Sequence, residues 1–288
     1  MPELPEVETI KRGLDAEIAG QTIAEARALW AKSFPDAKKA IGHKVKSLDR
    51  RGKVLIMNLN RDMSLMFHLK MTGQLVLQKK GGQRFAGGHP TASMEHNLPD
   101  KSTRAVFTFK NGDKLFFNDQ RKFGWIKLVE TAHVNLDKLL VRMGPEPLGS
   151  AFTPDVLTRE FKSHARAPVK AVILDQSTVS GVGNIYADES LHLAKIHPAR
   201  LAGSLKSAEV KRLHIAIKAI IKLGIKHGGT SFTHYVNALG KQGDYLQYAR
   251  VFRRQGKPCP VCATEIVKTR VAGRGTHYCP KCQKLGVK

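Results

Sequence analysis

The first residues of the chain could supply a nucleophile. The sequence opens Met1-Pro2-Glu3, and removal of Met1 would make Pro2 an N-terminal secondary amine with the Glu3 carboxylate beside it. Such an amine can attack a sugar or aldehyde carbon and form a cationic iminium, as lysine does in Schiff-base enzymes. Because a free α-amino group has a pKa of about 8, a useful fraction is neutral near physiological pH. Pro-Glu alone more often just begins a chain, so this chemistry needs support from the remaining sequence.

Four cysteines near the other end have the spacing of metal ligands. Cys259, Cys262, Cys279 and Cys282 form two Cys-x-x-Cys pairs with sixteen residues between them. Four thiolates spaced in this way can close a tetrahedron around zinc from two tight turns. Two disulfides are the alternative, but the sequence has no signal peptide and no further cysteine, which favours zinc. Since the protein would fill all four ligand positions, we expect one structural zinc.

The charge of the chain indicates a polyanionic partner. Its 288 residues include 48 Lys and Arg against 24 Asp and Glu, a net charge of +24. Residues 151–288 alone hold 23 basic and 8 acidic residues. A field of this sign attracts polyanions and speeds their capture. A ribosome-like RNA binder, or a surface kept basic for solubility, would show the same excess, so charge alone does not identify a DNA enzyme.

The hydrophobic pattern changes period after the first helix. Residues 5–19 have apolar side chains at helical spacing, and shorter apolar runs separated by turns follow. Strands are predicted at 54–59, 64–69, 74–77, 104–109, 114–117 and 124–128. Residues 1–130 are therefore predicted to be one helix with an antiparallel β-sandwich or barrel, interrupted by a mobile surface loop at 79–103.

The second half is predicted to be helical. After a linker at 131–150, helices are predicted at 153–163, 168–176, 184–194 and 204–227. Asn184 directly follows Gly181-Val182-Gly183 and is the predicted N-cap of its helix. No third glycine or parallel-sheet pattern supports a dinucleotide loop here, so a nucleic-acid phosphate suits this helix start better.

These patterns together predict an α+β protein of four segments. They are an N-terminal β-sandwich at 1–130, a linker at 131–150, a helical helix-two-turn-helix domain at 151–258, and a four-cysteine zinc-finger hairpin at 259–288. No apolar run approaches the ~18 residues of a membrane span. We therefore expect a cytoplasmic protein with no membrane partner.

Several short motifs occur in an order that resembles one enzyme family. They are MPELPEVET at the N-terminus, Arg51-Gly52-Lys53, HLKMTG from His68, DQRKFG from Asp119, GPEPL from Gly144, GVGNIYA from Gly181, and GRGTHY between the cysteine pairs. In this order they resemble formamidopyrimidine-DNA glycosylase, the bacterial enzyme that removes oxidised purines. Each motif is a modest signal, but the ordered set covers nearly the whole chain and is very specific.

The resemblance implies a mechanism for Pro2 and Glu3. A glycosylase acting on duplex DNA must flip the damaged nucleotide out of the stack. By this likeness Pro2 attacks C1′ of the deoxyribose, Glu3 is the general acid–base, and the iminium allows β,δ-elimination at the abasic site. It implies a bifunctional glycosylase and lyase of base-excision repair. We expect a monomer acting on double-stranded DNA that contains oxidised purines or abasic sites.

The resemblance also implies roles for cations near the DNA backbone. Lys53 matches a hairpin lysine that contacts lesion and phosphate and assists catalysis. Arg274 matches a zinc-hairpin arginine that grips phosphates, for which a forked, permanently charged guanidinium is suited. Asn184, Lys170 and Arg166 are expected at phosphates from the helix-two-turn-helix unit.

Three side chains match those that fill the gap left by a flipped base. Met71 and Phe123 would stack in that gap, and Arg121 would hydrogen-bond the orphaned cytosine. Lys122 and Arg104 are expected at the same DNA surface, Arg104 in place of a family histidine that Ser102 replaces.

Two segments near these side chains depart from the family or carry further candidates. Lys70 stands where the family usually has glycine, so the residue before Met71 departs from the family pattern. Residues 228–250 correspond to the segment that closes over the flipped base, where Tyr245 and Tyr248 could stack.

Two other functions remain open at this point. The sister branch of the family, which removes oxidised pyrimidines, shares the Pro-Glu start and the zinc finger. A zinc-ribbon protein that binds nucleic acid without catalysis would share the charge and the cysteines. Met71, Arg121 and Phe123 favour the purine branch, and Pro2, Glu3, Lys53 and Arg274 argue against loss of catalysis.

Overall fold

A computed structural model describes residues 2–89, 97–230 and 243–285. The chain forms two compact units, one of Met1–Val141 with His227–Asp244 and the other of Arg142–Lys226 with Tyr245–Lys288. Within the part of the chain that the structure describes, no helix combines the length and apolarity that a membrane crossing requires.

The first unit is a helix followed by two antiparallel sheets. It contains α1 (Leu4–Ile18), β1 (Ile23–Ala28), β2 (Val45–Arg51), β3 (Val54–Leu59), β4 (Met63–His68), β5 (Gly73–Gln78), β6 (Arg84–Gly88), β7 (Thr103–Phe109), β8 (Lys114–Asp119), β9 (Trp125–Glu130) and a short α2 (Lys138–Val141). The five-stranded sheet has the order β1-β7-β8-β5-β6, and the four-stranded sheet has the order β2-β3-β4-β9. One apolar core includes side chains from α1 and from both sheets. The predicted sandwich with a leading helix is confirmed.

Local sequence explains the hairpins that position later residues. The β3–β4 turn has φ of 56° at Arg61 and 52° at Asp62, the pair of positive values that matches the twist of a two-residue hairpin. In the four-stranded sheet, Val54 lies opposite His68, and His68 lies opposite Trp125. The residues after Arg51 and after His68 therefore leave the sheet at the same end.

Part of the predicted surface loop at 79–103 is a strand. Residues Arg84–Gly88 form β6, which pairs with β5 at the edge of the five-stranded sheet. Its glycines interrupt the apolar alternation, so the sequence pattern did not predict this strand. A Cβ at Gly88 would lie 2.4 Å from the Gly73 carbonyl oxygen. Glycine permits this close backbone approach. Residues 90–96 of the predicted loop lie outside the described residues.

Two further strands lack a clear sequence signal. β1 and β2 alternate only in part, with mostly half-buried or exposed positions between their buried residues. Each pairs with only one neighbouring strand in its sheet. Such edge strands need fewer large apolar side chains, so periodicity is a weak guide to them.

The second unit is mainly helical and ends in a hairpin. It contains α3 (Pro154–Ser163), α4 (Val169–Leu174), α5 (Asn184–Leu193), α6 (Ser207–Lys226), α7 (Tyr245–Tyr248), β10 (Val267–Val271) and β11 (Arg274–Tyr278). The Thr153 hydroxyl caps α3 by accepting from the Val156 amide. The prediction of Asn184 as an N-cap was wrong, because Gly183 occupies that position and Asn184 is the first helical residue.

Candidate active site and zinc hairpin

The start of α1 fixes the two proposed reacting groups. Pro2 is buried immediately before the helix, and Glu3 is its N-cap residue, with 3 % exposure. Glu3 and Glu6 form a reciprocal capping box, in which the Glu3 amide donates to Glu6 Oε2 at 2.8 Å. The positive end of a helix favours a carboxylate. The capping box therefore fixes Glu3, the residue directly after Pro2, at the start of the helix.

Glu6 also contacts a segment far along the chain. Its Oε1 accepts from the Thr230 amide at 2.8 Å and from the Thr230 hydroxyl at 3.2 Å. Gly229 has φ of +74°, and a Cβ there would lie 2.6 Å from Glu6 Oε1. Sequence reasoning missed this residue. Its signal was a glutamate three positions after an N-cap, the spacing of a capping box.

Lys53 lies in the turn between β2 and β3 and is only 5 % exposed. Arg50 connects this hairpin to α1: its Nε donates to Glu8 Oε2 at 3.0 Å and its Nη1 to the Gly52 carbonyl at 2.9 Å. Burial raises the pKa of Glu8, but the hydrogen bonds and charges of Arg12 and Arg50 outweigh it and hold the pKa below its usual value. The Arg50–Glu8 ion pair thus joins α1, which Glu3 caps, to the hairpin that carries Lys53.

His68 is a buried imidazole at the end of β4, and its ring lies 5.7 Å from that of Trp125. Its Nδ1 accepts from the Lys70 amide at 3.0 Å. Burial, and then the charges of Lys70 and Lys53, lower the pKa of His68 to about 3. The ring is therefore neutral near physiological pH, and cations cluster around it.

Met71 and Phe123 are exposed on two loops of the first unit. Met71 is 36 % exposed, Phe123 is 54 % exposed, and the Arg121 guanidinium lies 4.8 Å from the Phe123 ring centre. Each loop contains a lysine in the left-handed region, Lys70 at φ 49° and Lys122 at φ 59°. Glycine adopts such a φ without strain, so Lys70 keeps the loop shape that a glycine would favour.

The structure buries Arg104, one of two cations expected at the DNA surface, and leaves the other, Lys122, exposed. Arg104 is 7 % exposed, and its Nε donates to the Asp119 carbonyl at 2.7 Å. It therefore stabilises the end of β8, where the loop that carries Arg121 and Phe123 begins. Lys122 is exposed, and its ammonium lies 4.3 Å from the Trp30 ring centre. Arg104 is too buried here to present its guanidinium to DNA.

In the second unit, Arg274 is exposed at the start of β11. The two residues before it, Ala272 and Gly273, have φ of 48° and 74° and form the tight turn between β10 and β11. Asn184 Nδ2 donates to the Gly275 carbonyl at 3.0 Å, which joins α5 to the hairpin beside Arg274. Arg166 is exposed in the connection between α3 and α4.

Lys170 has no exposed side-chain surface and cannot reach a phosphate in this structure. Its ammonium lies 2.6 Å from Asp188 Oδ1 and donates to the Thr276 hydroxyl at 2.8 Å and to the Gly275 carbonyl at 3.2 Å. Asp188 Oδ2 accepts from the His277 amide at 2.9 Å. This buried ion pair holds three successive residues of β11, so Lys170 positions the hairpin that presents Arg274.

Glu189 is a second buried carboxylate that sequence reasoning missed. Its two oxygens accept from the amides of Arg250, Val251 and Phe252 at 2.8–2.9 Å. Burial raises the pKa of Glu189, although these three amides oppose the shift. The contact fixes the segment that leads into the cysteine pairs.

The four cysteine sulfurs fit a tetrahedral metal site. All four lie within 4.8 Å of one another, and sulfur pairs such as Cys262–Cys279 and Cys259–Cys282 are 3.5 and 3.9 Å apart. Zn–S bonds of about 2.3 Å in a tetrahedron require sulfurs about 3.8 Å apart. The amides of Val261 and Cys282 point at Cys259 and Cys279 sulfurs, each at 3.4 Å, as expected for outer-shell support of thiolate ligands.

Comparisons with known proteins match the whole length of the chain. Residues 1–126 match the formamidopyrimidine-DNA glycosylase N-terminal domain, 143–236 match its H2TH domain, and 256–285 match the zinc finger found in FPG and IleRS. A formamidopyrimidine-DNA glycosylase of Desulforamulus reducens is 41 % identical over 294 residues, covering 99 % of each chain. The chain belongs to the formamidopyrimidine-DNA glycosylase family.

Solved structures of such glycosylases agree with this result. A mutant of Lactococcus lactis FPG in complex with a Fapy-dG containing DNA matches with a TM-score of 0.86 and 34 % identity, covering 98 % of this chain and all of that one. MutM in complex with carbocyclic 8-oxo-G containing DNA matches with a TM-score of 0.84, again at 34 % identity, with coverage of 98 % and 100 %.

Membership in this family settles the general activity. The protein is a DNA glycosylase that acts on damaged DNA in base-excision repair. Its four cysteines form a zinc finger with one structural zinc, and the sulfur spacing fits that ion.

The segment predicted to close over a flipped base is described only at its ends. Residues 231–242 lie outside the described residues. Tyr245 is fully buried, with its ring 5.0 Å from that of Tyr186, so it is packed inside the glycosylase and not available to stack on a base. Tyr248 is 45 % exposed.

Proposed function

We propose that the protein removes oxidised purines, 8-oxoguanine and formamidopyrimidines, from duplex DNA and then cleaves the abasic site through a Schiff base on Pro2. The supporting observation is the start of α1, where Pro2 and the next residue, Glu3, are both buried and a capping box with Glu6 fixes Glu3. The related proteins crystallised with Fapy-dG and 8-oxo-G DNA support the same lesion class.

The proposed reaction begins after Met1 has been removed. The Pro2 nitrogen forms a bond to C1′ as the bond from C1′ to the base breaks, and the base leaves with the bonding electrons and takes up a proton. The sugar ring opens to give a Pro2 iminium, with Glu3 carrying protons to and from the sugar. Loss of the C2′ proton sends electrons into the iminium and expels the 3′ phosphate. A second elimination expels the 5′ phosphate, and hydrolysis frees Pro2.

Positive groups in each unit would hold the backbone during these steps. Lys53 lies in the turn of the hairpin that Arg50 joins to α1, and Arg274 is exposed beside a tight turn whose strand is bonded by Lys170 and Asn184. Fixed cations of this kind stabilise the charge of departing phosphates. Because nucleophile, acid–base and phosphate-binding groups all come from this one chain, we propose that a monomer suffices, acting in the bacterial cytoplasm.

We propose that Met71 and Phe123 fill the gap left by the flipped nucleotide, and that Arg121 contacts the base opposite. Their exposure on neighbouring loops supports this role. Thioether and phenyl groups can replace base stacking, and a guanidinium can donate to O2 and N3 of cytosine together.

Borohydride trapping tests the lesion class and the nucleophile together. The protein is incubated with an 8-oxoguanine duplex or a thymine-glycol duplex in the presence of borohydride. We expect a covalent adduct mainly with 8-oxoguanine, and only with protein whose intact mass shows loss of Met1. Preferential trapping on thymine glycol would assign the protein to the pyrimidine branch, and no trapping on either would indicate a binding protein without catalysis.

Glu3→Gln isolates the acid–base role. The amide keeps the size of the side chain but cannot carry the proton, so base excision should fall by a factor of about 10² or more. Binding to lesion DNA should persist because it depends mainly on phosphate contacts. Equal loss of binding and excision would show that Glu3 is needed only for structure.

A further inference from the structure

Asp119 is a fully buried carboxylate at the end of β8, and both of its oxygens accept hydrogen bonds from two loops. Oδ1 accepts from the Thr72 hydroxyl and from the Arg121 amide, the latter at 3.2 Å. Oδ2 accepts from the Phe123 amide at 2.7 Å and the Gly124 amide at 2.6 Å. One side chain therefore bonds the loop that carries Met71 and the loop that carries Arg121 and Phe123.

The backbone of Asp119 is itself fixed. Its amide donates to the Ser102 carbonyl at 2.8 Å, and its carbonyl accepts from Arg104 Nε at 2.7 Å. It also pairs with Gly73 in the β5–β8 ladder. The carboxylate thus projects from a rigid strand end, and the two loops are the parts whose position depends on it.

The second loop packs so closely at Gly124 that no side chain fits there. A Cβ at Gly124 would lie 2.6 Å from the Phe117 ring and 3.2 Å from Asp119 Oδ2. Thr72 adds a bridge, because its hydroxyl donates to Asp119 and accepts from the Arg121 amide at 3.2 Å. Charge-assisted bonds from buried donors are stronger than ordinary ones, so they can hold the strained left-handed residues of both loops.

We propose that Asp119 is a positioning residue that couples the two loops, so that Met71, Arg121 and Phe123 enter the duplex as one rigid unit. Asp119 has no exposed surface, so it would act on the DNA only through these loops. The inference rests on the proposed insertion of these three side chains and adds the group that makes them act together. A carboxylate is needed because its two acceptor oxygens must satisfy four donors, which an amide or an apolar side chain cannot do.

The test compares Asp119→Asn and Thr72→Val with a matched control, Asp113→Asn. Asp113 is a similarly buried carboxylate at the other end of β8, where it binds Lys79, the Lys80 amide and Asn111. Thr72→Ser keeps the bridging hydroxyl and should restore function. Fluorescence of Trp30 and Trp125 reports whether each variant is folded.

Two substrates separate loop insertion from chemistry. Single-turnover excision of 8-oxoguanine from a duplex requires filling of the gap, whereas cleavage of an abasic site in a single strand does not. We expect Asp119→Asn and Thr72→Val to slow duplex excision by about 10- to 100-fold, since small misplacements have effects of this size. Single-strand cleavage should stay within about threefold, and Asp113→Asn and Thr72→Ser should match the wild type in both assays.

A double-mutant cycle measures the coupling directly. In the wild-type background, the effects of Met71→Ala and Phe123→Ala on duplex excision should be non-additive, and in the Thr72→Val background they should become additive. If Asp119→Asn does not fold, Thr72→Val alone decides, because it removes one hydroxyl and leaves the carboxylate with its three backbone donors.

The outcomes distinguish the two proposals. If Met71→Ala and Phe123→Ala leave duplex excision unchanged, the insertion role itself is wrong. If those variants are defective but Asp119→Asn and Thr72→Val behave like Asp113→Asn, insertion stands and the coupling by Asp119 is wrong.

Discussion

At the scale of single residues, His68 is a neutral imidazole among cations. The ring is buried between the end of β4 and Trp125, and it faces the cations Lys53 and Lys70. Protonation would add a third positive charge in a place with little water. The neutral ring can still accept from the Lys70 amide, which is the contact that shapes the loop before Met71.

His68 should make the first unit acid-sensitive. Its folded pKa of about 3 lies below the unfolded value of about 6.5. The unfolded state therefore binds the proton first, and stability is lost as the pH falls from about 6.5 towards about 3. Between pH 7.5 and pH 5 this group alone should lower the free energy of unfolding by ~2 kcal/mol. Urea unfolding followed by tryptophan fluorescence measures the change, since both tryptophans lie in the first unit.

The control for this prediction is His68→Asn, which keeps an acceptor for the Lys70 amide but cannot titrate. Between pH 7.5 and pH 5, its free energy of unfolding should therefore fall by ~2 kcal/mol less than that of the wild type. If the free energies of unfolding of the wild type and of His68→Asn change with pH in parallel, the acid sensitivity does not come from His68.

Arg121 should set the preference for the base opposite the lesion. Cytosine offers O2 and N3 as acceptors, whereas adenine offers an amino donor that faces the guanidinium badly, a difference of about 1–3 kcal/mol. Arg121→Ala should flatten the cytosine-to-adenine ratio of excision rates and change abasic-site cleavage less. Single-turnover rates with each opposite base measure this. An unchanged ratio in the variant would assign Arg121 to packing against Phe123 or to phosphate contact.

Sequence reasoning found the cations, the cysteines and the exposed apolar side chains, but not the carboxylates that position them. Motif order pointed to Lys53, Met71 and Arg274. Glu6 and Glu189, in contrast, act on amides 224 and 61–63 residues away, and no spacing rule connects such positions. Lys170 and Arg104 were placed at the surface because their charge is visible in sequence and their burial is not.

At the scale of elements, the zinc hairpin depends on two separate supports. The sulfurs sit in a small cluster with Val251 and Ile266, whereas β11 is held from the other side by Lys170 and Asp188. The helical period predicted α4 and α5. The contacts between α4, α5 and β11 could not be predicted, because they depend on which buried charges meet after folding.

Metal removal should unfold the hairpin and leave the sandwich intact. Binding energy of a structural zinc is largely folding energy for so small a segment. After treatment with a chelator, DNA binding should be lost while the urea midpoint reported by tryptophan fluorescence is unchanged. Metal analysis should give one zinc per chain before treatment. Disulfides detected by mass spectrometry in place of zinc would contradict this.

The Lys170–Asp188 pair should behave as one structural unit. Lys170→Met or Asp188→Leu each leaves a buried charge without its main partner, which typically costs about 3–5 kcal/mol. The double variant removes both charges and should be less destabilised than either single one. The rate at which zinc passes to a coloured chelator reports the effect on the hairpin. If each single variant releases zinc at the wild-type rate, the pair does not hold β11.

At the scale of the whole molecule, positive charge is in excess in both halves of the sequence, and several of the few acids are buried. Glu6, Asp119, Asp188 and Glu189 are each at most 1 % exposed. They accept from backbone amides or pair with a buried lysine, so their carboxylates are not on the surface that a partner contacts. A polyanion therefore meets a surface more uniformly basic than the composition suggests.

The salt dependence of DNA affinity should show which cations contact phosphate. Affinity for an abasic-site duplex should fall linearly with the logarithm of salt concentration, because phosphate contacts release counterions. Arg274→Ala should reduce that slope by about 1, whereas Arg274→Lys should keep it, since the charge remains. Fluorescence anisotropy over a range of salt concentrations measures both. An unchanged slope in Arg274→Ala would remove Arg274 from the phosphate contacts.

The first unit is also discontinuous in sequence, and this sets the order in which its contacts can form during synthesis. The sandwich can form once about half of the chain has left the ribosome, but Thr230 emerges only after most of the helical unit. Until then, Glu6 lacks the amide and hydroxyl that Thr230 supplies to it. The helix that follows Pro2, the proposed nucleophile, therefore gains its contact with Thr230 late in synthesis.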